Sequence, residues 1–165
     1  MSEKKGIAIV PGSFDPITYG HVDITQRAAE QYEKVYVAVM INSEKKYTFS
    51  ISERKQIAEV ALSHLSNVEV ISSEGMLWEL ARDLCANAIV KGYRNDTDLK
   101  YEQQMAEYNK AKYPQAETII LKAAPELEDV SSTAVRGRLS NGENIDKLLP
   151  AAVKAEINKI LLKQK

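Results

Sequence analysis

The segment from Val10 to His21 combines residue types that suit the binding of a nucleotide phosphate. It reads Val-Pro-Gly-Ser-Phe-Asp-Pro-Ile-Thr-Tyr-Gly-His, follows the apolar run 7–10, and contains two turn signals, Pro11-Gly12-Ser13 and Asp15-Pro16. Small residues and bare backbone amides at a strand-to-helix junction let a phosphate approach closely, and a helix N-terminus adds partial positive charge. The segment therefore predicts a nucleotide-phosphate site with the His21 imidazole as a built-in hydrogen-bond donor.

Further cations and hydroxyl groups follow other predicted strands. Lys45 lies in the charged loop 42–46, Lys91-Gly92-Tyr93-Arg94 ends the fourth strand, and a run of three hydroxyl side chains, Ser131-Ser132-Thr133, lies beyond the fifth. In a doubly wound α/β sheet a ligand binds beyond the carboxyl ends of the strands. We therefore expect these segments to converge on one site.

The elements that must position these residues alternate between strand and helix. Five apolar, strand-like runs are predicted, and they cover residues 6–10, 35–41, 68–72, 88–91 and 118–121. Helical spacing of apolar residues lies between them, including the stripe Tyr101, Met105 and Tyr108, and a last helix is predicted for 151–162. Ser50 and Glu53 form a capping box. This alternation predicts a doubly wound α/β fold with a five-stranded parallel sheet, right-handed crossovers and C-terminal helices.

Length and composition exclude several classes of protein. The 165 residues suggest one domain, 1–165, and 22 basic against 23 acidic residues give a net charge of -1. Without a basic surface field, nonspecific nucleic-acid binding is not expected. Cys85 is the one cysteine, and the longest apolar run, 35–41, is far too short to span a membrane. We expect a soluble cytoplasmic protein with no nucleic-acid or membrane partner.

Several cofactor motifs are missing from the chain. No Gly-x-Gly-x-x-Gly follows the first strand, which disfavours a dinucleotide. The chain has two histidines and one cysteine, widely separated, so a zinc site made of protein ligands is not expected. No dedicated set of metal ligands is visible, and we predict none.

Two segments resemble the signature of the nucleotidyltransferase superfamily. The first pattern, Gly-Ser/Thr-Phe-Asp-Pro followed by His/Thr-x-Gly-His, occurs at Gly12–Pro16 and Thr18–His21. The second, Ile-Ser-Ser-Thr/Ser-x-x-Arg, occurs at Val130–Arg136. Within the superfamily the chain is similar to the phosphopantetheine adenylyltransferase family over nearly its whole length. That branch is indicated by Thr18, by Lys91–Arg94 with Tyr101-Glu102 beyond it, and by the loop Ser43–Lys46.

The resemblance implies a Rossmann-like fold and a reaction. The family transfers the adenylyl group of ATP, with Mg²⁺, to 4'-phosphopantetheine, giving dephospho-coenzyme A and pyrophosphate by in-line attack without a protein nucleophile. It also implies a homohexamer and feedback inhibition by coenzyme A. Two alternatives stay open from the residues: an adenylyltransferase for another acceptor, such as nicotinamide mononucleotide, and a nucleotide-binding regulator without catalysis.

The same resemblance assigns roles to individual residues. His21 would stabilise the transition state, and Lys45 and Arg94 would be the other catalytic residues. The implied ATP-binding residues are Ser13, Phe14, His21, Gly92, Tyr93, Arg94, Glu102, Leu127, Glu128, Asp129, Val130, Ser131, Ser132 and Thr133. The implied acceptor-binding residues are Ser13, Lys45, Leu77 and Lys91. Lys91 departs from the family pattern, which has arginine there. Lysine keeps the positive charge but lacks the planar guanidinium that can bind a phosphate through two parallel hydrogen bonds.

For some of these residues a structural interpretation remains beside the functional one. For Lys45 the rival interpretation is a solvated lysine in a charged loop. Glu102 reads as an exposed helical glutamate. We interpret Asp15 as bracing its turn rather than binding metal, because Asp-Pro is itself a turn signal.

Overall fold

A five-stranded parallel sheet forms the centre of the protein, in a computed structural model that describes residues 3–164. The strands run in the order β3-β2-β1-β4-β5, with bounds β1 Lys5–Gly12, β2 Tyr32–Met40, β3 Val68–Ser73, β4 Ala88–Tyr93 and β5 Glu117–Lys122. All five predicted strands are present, and their ends differ from the predicted ones by at most three residues. The predicted fold class is therefore confirmed.

Within residues 3–164, six α-helices connect and follow the strands. Their bounds are α1 Tyr19–Gln31, α2 Ile51–Leu62, α3 Leu77–Asp83, α4 Asp96–Lys112, α5 Ser132–Ser140 and α6 Ala151–Lys163. The capping box of α2 is confirmed: the Glu53 N–H donates to the Ser50 Oγ at 3.1 Å, and the Ser50 N–H donates to a Glu53 carboxylate oxygen at 2.9 Å. Among residues 3–164 no helix is long and apolar enough to cross a membrane.

The apolar strand sequences are explained by helices that cover both faces of the sheet. Successive side chains of a strand point to opposite faces. In β1, Ala8 and Val10 join the larger core, which includes Ile57 of α2, while Ile9 between them joins a smaller core with Ala81 of α3. A strand buried on both faces cannot alternate apolar with polar residues, so it reads as a continuous apolar run.

The predicted stripe on α4 does not face a core. Tyr101, Met105 and Tyr108 are 59%, 37% and 42% exposed, although the helix itself is present. The buried residues of α4 are instead Glu102 and Asn109. The spacing therefore predicted the helix correctly, but helical spacing fixes which residues share a face and not which face meets the sheet.

The strand order creates a crevice between β1 and β4. From β1 the chain builds outward to β2 and β3, and it then returns to the other side of β1 to build β4 and β5. Where the direction of winding reverses, the connections after two neighbouring strands lead to opposite faces of the sheet and leave a gap at the carboxyl edge. Gly12 and Tyr93 end the two strands that border this gap.

Candidate active site

A cavity of about 310 Å³ lies at the carboxyl ends of β1 and β4. The first turns of α1 and α5 complete its wall, so two helix N-termini with their free N–H groups face the same space. Many residues singled out in the sequence line it, namely Phe14, His21, Lys91, Gly92, Tyr93, Arg94, Glu102, Leu127, Val130, Ser131, Ser132 and Thr133. Segments separated by more than a hundred residues therefore meet at one site, as the parallel sheet requires.

The His21 side chain is held in one tautomer by the residue that precedes its helix. The backbone N–H of Thr18 donates to His21 Nδ1 at 3.0 Å, and the Thr18 hydroxyl lies 3.2 Å from the same nitrogen. A backbone N–H can only donate, so Nδ1 accepts and carries no proton. The proton of the neutral ring is therefore on Nε2, which is left as a hydrogen-bond donor.

The surroundings of His21 keep the ring neutral. Burial is the main cause that lowers the His21 pKa to about 4, and the positive charges of Lys91 and Arg94 lower it further. Desolvation disfavours the charged form, and like charges act in the same direction. At neutral pH the ring therefore offers an uncharged N–H, the form that the Thr18 contact also requires.

Two glycines allow the chain segments around His21 to come together. A Cβ on Gly92 would lie 2.9 Å from Ile24 Cγ1, so a side chain there would push α1 away from β4. A Cβ on Gly12 would lie 3.1 Å from the ring of Phe14. That ring packs edge-on to His21, with 4.9 Å between the ring centroids. Gly12 of the opening motif and Gly92 of β4 thus both have a packing role beside His21.

Phe14 has an unusual backbone conformation. Its φ is +48°, in the left-handed region, and its side chain is 2% exposed. Bulky residues rarely adopt this conformation, which costs of order 1–3 kcal/mol and persists where surrounding contacts enforce it. The loop after β1 is therefore shaped by the contacts around it rather than by its own conformational preference.

The cations of the cavity are each matched by a carboxylate. Lys91 Nζ lies 3.4 Å from Glu102 Oε2, and the Glu102 side chain is 11% exposed. Arg94 Nε lies 3.7 Å from Asp98 Oδ2, and its Nη1 donates to the Glu128 carbonyl at 3.4 Å. Glu102 is not an exposed helical glutamate, so that structural interpretation was wrong. Lys91 and Glu102 instead form an ion pair in the cavity wall, where a ligand would contact both.

The start of α5 is tied to the loop after β1. Ser131 caps the helix by accepting from the Ala134 N–H, and the Ser132 hydroxyl donates to the Pro16 carbonyl at 2.7 Å. Arg136 Nη1 donates to the Asp15 carbonyl at 2.9 Å. These bonds join the two segments that carry the superfamily resemblance, so their relative position is fixed within the chain.

Asp15 braces its turn, as interpreted from the sequence. Its carboxylate is almost fully buried and accepts from the Thr48 N–H at 2.9 Å and the Phe49 N–H at 3.0 Å. The loop after β1 is thereby fastened to the segment that leads into α2.

Five of the singled-out residues do not line the cavity: Ser13, Lys45, Leu77, Glu128 and Asp129. Lys45 is exposed in the turn after β2, and Leu77 begins α3 and packs on the smaller core. Glu128 meets the cavity wall through its main chain, as the acceptor from Arg94. The Glu128 side chain itself is exposed and does not line the cavity.

One residue at the back of the site was missed in the sequence. Arg54 in α2 is 1% exposed and donates to three main-chain carbonyls near the loop after β1. A signal was available, because Arg54 lies three residues after Ile51 and three before Ile57, on the apolar face of its helix. An arginine on a buried face needs partners for its donors.

The side chains available as metal ligands indicate how the site could hold a metal ion. Among residues 3–164 no three His, Cys, Asp or Glu side chains cluster in a way that could hold an ion. The two carboxylates that line the cavity, Asp98 and Glu102, each have a cation beside them. Mg²⁺ commonly binds through substrate phosphates with few protein ligands. The cavity therefore suits a metal that arrives with a polyphosphate.

Comparisons with known proteins agree with this geometry. The model of the cytidylyltransferase-like family matches residues 9–138. The phosphopantetheine adenylyltransferase of Heliobacterium modesticaldum is 43% identical over 151 residues, which cover 92% of this chain and 90% of the relative. The protein of the same name from Lactobacillus acidophilus is 40% identical over 156 residues, covering 94% and 97%.

A solved structure has the same fold. It comes from Vibrio parahaemolyticus and is provisionally named a nicotinate-nucleotide adenylyltransferase. It matches with a TM-score of 0.70 and 18% identity, covering 94% of this chain and 93% of that chain. At this identity the likeness concerns the arrangement of strands and helices.

Proposed function

We propose that this chain, which belongs to the phosphopantetheine adenylyltransferases within the cytidylyltransferase-like family, transfers the adenylyl group of ATP to 4'-phosphopantetheine. The products are dephospho-coenzyme A and pyrophosphate, so the reaction is a step of coenzyme A biosynthesis. One observation carries the proposal most directly. A neutral imidazole donor, Lys91, Arg94 and two helix N-termini surround a single cavity at the switch point of the sheet.

The reaction needs no nucleophile from the protein. A phosphate oxygen of the acceptor attacks the α-phosphorus of ATP in line, a new oxygen–phosphorus bond forms, and the bond to the β-phosphate oxygen breaks. Pyrophosphate leaves with that oxygen and its electron pair. Catalysis then comes from positioning the two anions and from stabilising the charge that develops on the transferred group.

His21 is proposed to stabilise that developing charge. Its Nε2–H would donate to a non-bridging oxygen of the α-phosphate, and the N-terminus of α1 would add partial positive charge. The neutral state supported by the low pKa suits this role, because the ring gives a directed hydrogen bond while Nδ1 stays engaged by Thr18. Donors fixed before the reaction lose no energy to reorganisation during it.

The other cavity residues are proposed to hold the two substrates. Arg94 would bind ATP phosphate and is the second catalytic cation, Lys91 would bind the acceptor phosphate, and Glu102 would accept from the nucleotide. The loop amides at Ser13 and Phe14, the strand end Gly92-Tyr93 and the segment Leu127–Thr133 would complete the ATP site. Hydroxyls and free N–H groups at the start of α5 suit phosphate oxygens.

The exposed parts of the proposed acceptor site lie beyond the cavity. Lys45 is proposed as a catalytic residue that reaches the acceptor phosphate from the turn after β2, and Leu77 as a contact for the pantetheine arm. Both positions lie at the carboxyl edge of the sheet, close to strand ends. A long acceptor that leaves the cavity along this edge would pass them, which supports the assignment.

The remaining expectations rest on family membership. Mg²⁺ would arrive with ATP and, when bound, would neutralise charge on the phosphates. We also propose that the chain forms one nucleotidyltransferase domain, assembles as a homohexamer in the cytoplasm, and is inhibited by coenzyme A.

A direct assay tests the proposed reaction. Pyrophosphate release from ATP is measured with 4'-phosphopantetheine and, separately, with nicotinamide mononucleotide. We expect turnover with the first acceptor and none with the second. Turnover with nicotinamide mononucleotide alone would overturn the proposed acceptor, and release with neither would favour a regulator without catalysis.

The role of His21 is tested by comparing turnover with binding. Replacing His21→Ala removes the donor, and we expect kcat to fall by about 10²–10³-fold while the Kd for ATP changes far less. Equal losses in kcat and in ATP affinity would show that the imidazole acts only in ground-state binding.

A further inference from the structure

The loop after β1 and the loop after β2 are joined by a buried arginine outside the cavity. Arg54 Nη1 donates to the Ser13 carbonyl at 2.8 Å and to the Met40 carbonyl at 3.1 Å, and its Nε donates to the Phe49 carbonyl at 3.2 Å. Its guanidinium carbon lies 3.8 Å from the centre of the Tyr47 ring. The side chain thus bridges the loop after β1, the end of β2 and the segment before α2.

A planar guanidinium with several donors suits this position. The three carbonyls belong to segments separated by up to thirty-six residues, and the fixed fork of arginine presents its N–H groups to them at the same time. The ring of Tyr47 covers one face of the guanidinium. Lysine could not reproduce the arrangement, because its ammonium is a compact point charge.

The bond to the Ser13 carbonyl also determines where the next N–H points. The Ser13–Phe14 peptide bond is trans, so its C=O and N–H point in opposite directions within one plane. Arg54 lies on the carbonyl side, buried in the chain. The Phe14 N–H therefore points away from Arg54, and within residues 3–164 it donates to no other group.

The same contact accounts for the conformation of Phe14. A φ of +48° is unfavourable for phenylalanine and must be held by surrounding contacts. The Phe14 ring is fixed between Gly12 and His21, and the peptide plane before it is fixed by Arg54. Both sides of the strained residue are thereby restrained.

We propose that Arg54 is a positioning residue for adenylyl transfer, which aims the Phe14 N–H at a phosphate of ATP by holding the Ser13 carbonyl. Arg54 itself touches no substrate. This inference rests on the proposed function for the reaction that it serves. The ATP contact of Phe14 can nevertheless be measured without any acceptor present.

The chain offers a selective probe for this contact. It contains two phenylalanines, so protein labelled with [¹⁵N]phenylalanine gives two amide signals, Phe14 and Phe49. The Phe49 N–H is bonded to Asp15 and is an internal reference near the same loop. On titration with ATP we expect the Phe14 signal to move strongly and the Phe49 signal to move little. An unmoved Phe14 signal in the wild-type protein would overturn the proposal.

The variant Arg54→Lys tests the positioning step. We expect the ATP-induced shift of the Phe14 signal to be mostly lost, and kcat to fall by about 10²-fold, the effect of a misplaced group of about 1 Å. Ile57→Val is the matched control: it alters a fully buried residue of the same helix and costs about 0.5–1.5 kcal/mol of stability. It should leave both the signal shift and kcat within about twofold of wild type.

The outcomes separate this inference from the proposed function. A full Phe14 shift in Arg54→Lys, or a kcat equal to that of Ile57→Val, would overturn the positioning role. If Arg54→Lys does not fold, Arg54→Gln, which keeps an N–H donor without a buried charge, is titrated in its place, and a full Phe14 shift in it would overturn the positioning role. Wild-type protein that shows the Phe14 shift with ATP but no turnover of 4'-phosphopantetheine would overturn the acceptor assignment, while loss of that shift in Arg54→Lys would still support the positioning role.

Discussion

Acidification is expected to destabilise the protein through one partly buried histidine, His21. The His21 pKa falls from 6.5 in the unfolded chain to about 4 in the folded protein, chiefly because of burial. The folded state therefore binds fewer protons than the unfolded state between these two values, and stability rises with pH across that window. Since one pKa unit corresponds to about 1.4 kcal/mol, His21 contributes roughly 3 kcal/mol above pH 6.5 that is lost on going to pH 4.

Two measurements check this expectation. The chain has two histidines, so ring carbon and nitrogen signals of labelled protein can be assigned by comparison with His64→Gln and followed against pH. We expect the His21 midpoint near pH 4, with Nδ1 unprotonated at neutral pH. The free energy of unfolding in urea, measured from pH 7 to pH 4, should fall less in His21→Gln than in wild type, by roughly the 3 kcal/mol derived from the shift.

The relative contributions of burial and of neighbouring charge to the low His21 pKa can be tested as well. Lys91→Gln removes the second-largest cause, so the His21 pKa should rise while staying below 6.5. A wild-type midpoint at pH 6 or above would refute the burial argument. Complete return to 6.5 in Lys91→Gln would show that charge, and not desolvation, sets the shift.

Two further predictions concern packing and charge pairing around the cavity. Gly92→Ala should destabilise the fold by about 1–3 kcal/mol in urea unfolding, because its Cβ would meet Ile24. Gly137→Ala, in α5, should instead stabilise it by up to about 1 kcal/mol, because among the described residues nothing beyond the adjacent residues and the backbone of α5 lies within 4 Å of the new Cβ. If Gly92→Ala and Gly137→Ala changed the free energy of unfolding equally, the proposed clash between the new Cβ at position 92 and Ile24 would be contradicted. Lys91→Met should cost stability by leaving the Glu102 carboxylate without its cation, and Lys91→Met/Glu102→Gln should recover part of the loss. Additive losses in this double-mutant cycle would show that the pair does not interact.

Local patterns were sufficient for most of the secondary structure. The strands were predictable because burial on both faces leaves a continuous apolar run, as in Val35 to Ile41. The start of α2 was predictable because Ser50 and Glu53 satisfy N–H groups within four residues of each other. Such features depend on neighbours in the chain, so the sequence alone contains them.

The contacts of the site depend on residues far apart in the chain. The sequence indicated that loops after several strands would converge, but not that Lys91 would pair with Glu102 or that Arg54 would hold the Ser13 carbonyl. It also did not indicate that Tyr101 of α4 would stay exposed. Each of these outcomes follows from how helices are rotated against the sheet, which a single helical or strand pattern leaves open.

The sequence by itself determined the order of strands and helices along the chain and the capping of α2, and it predicts a phosphate site in the segment from Val10 to His21. Only the tertiary structure decided that β1 and β4 lie side by side, that the ring of His21 is neutral with its proton on Nε2, and which cation meets which carboxylate. The physical reason is the distance along the chain between the residues that set each property. Secondary structure follows from hydrogen bonds and burial periodicity between near neighbours, whereas the pKa and the pairing of a charge follow from every element packed around it.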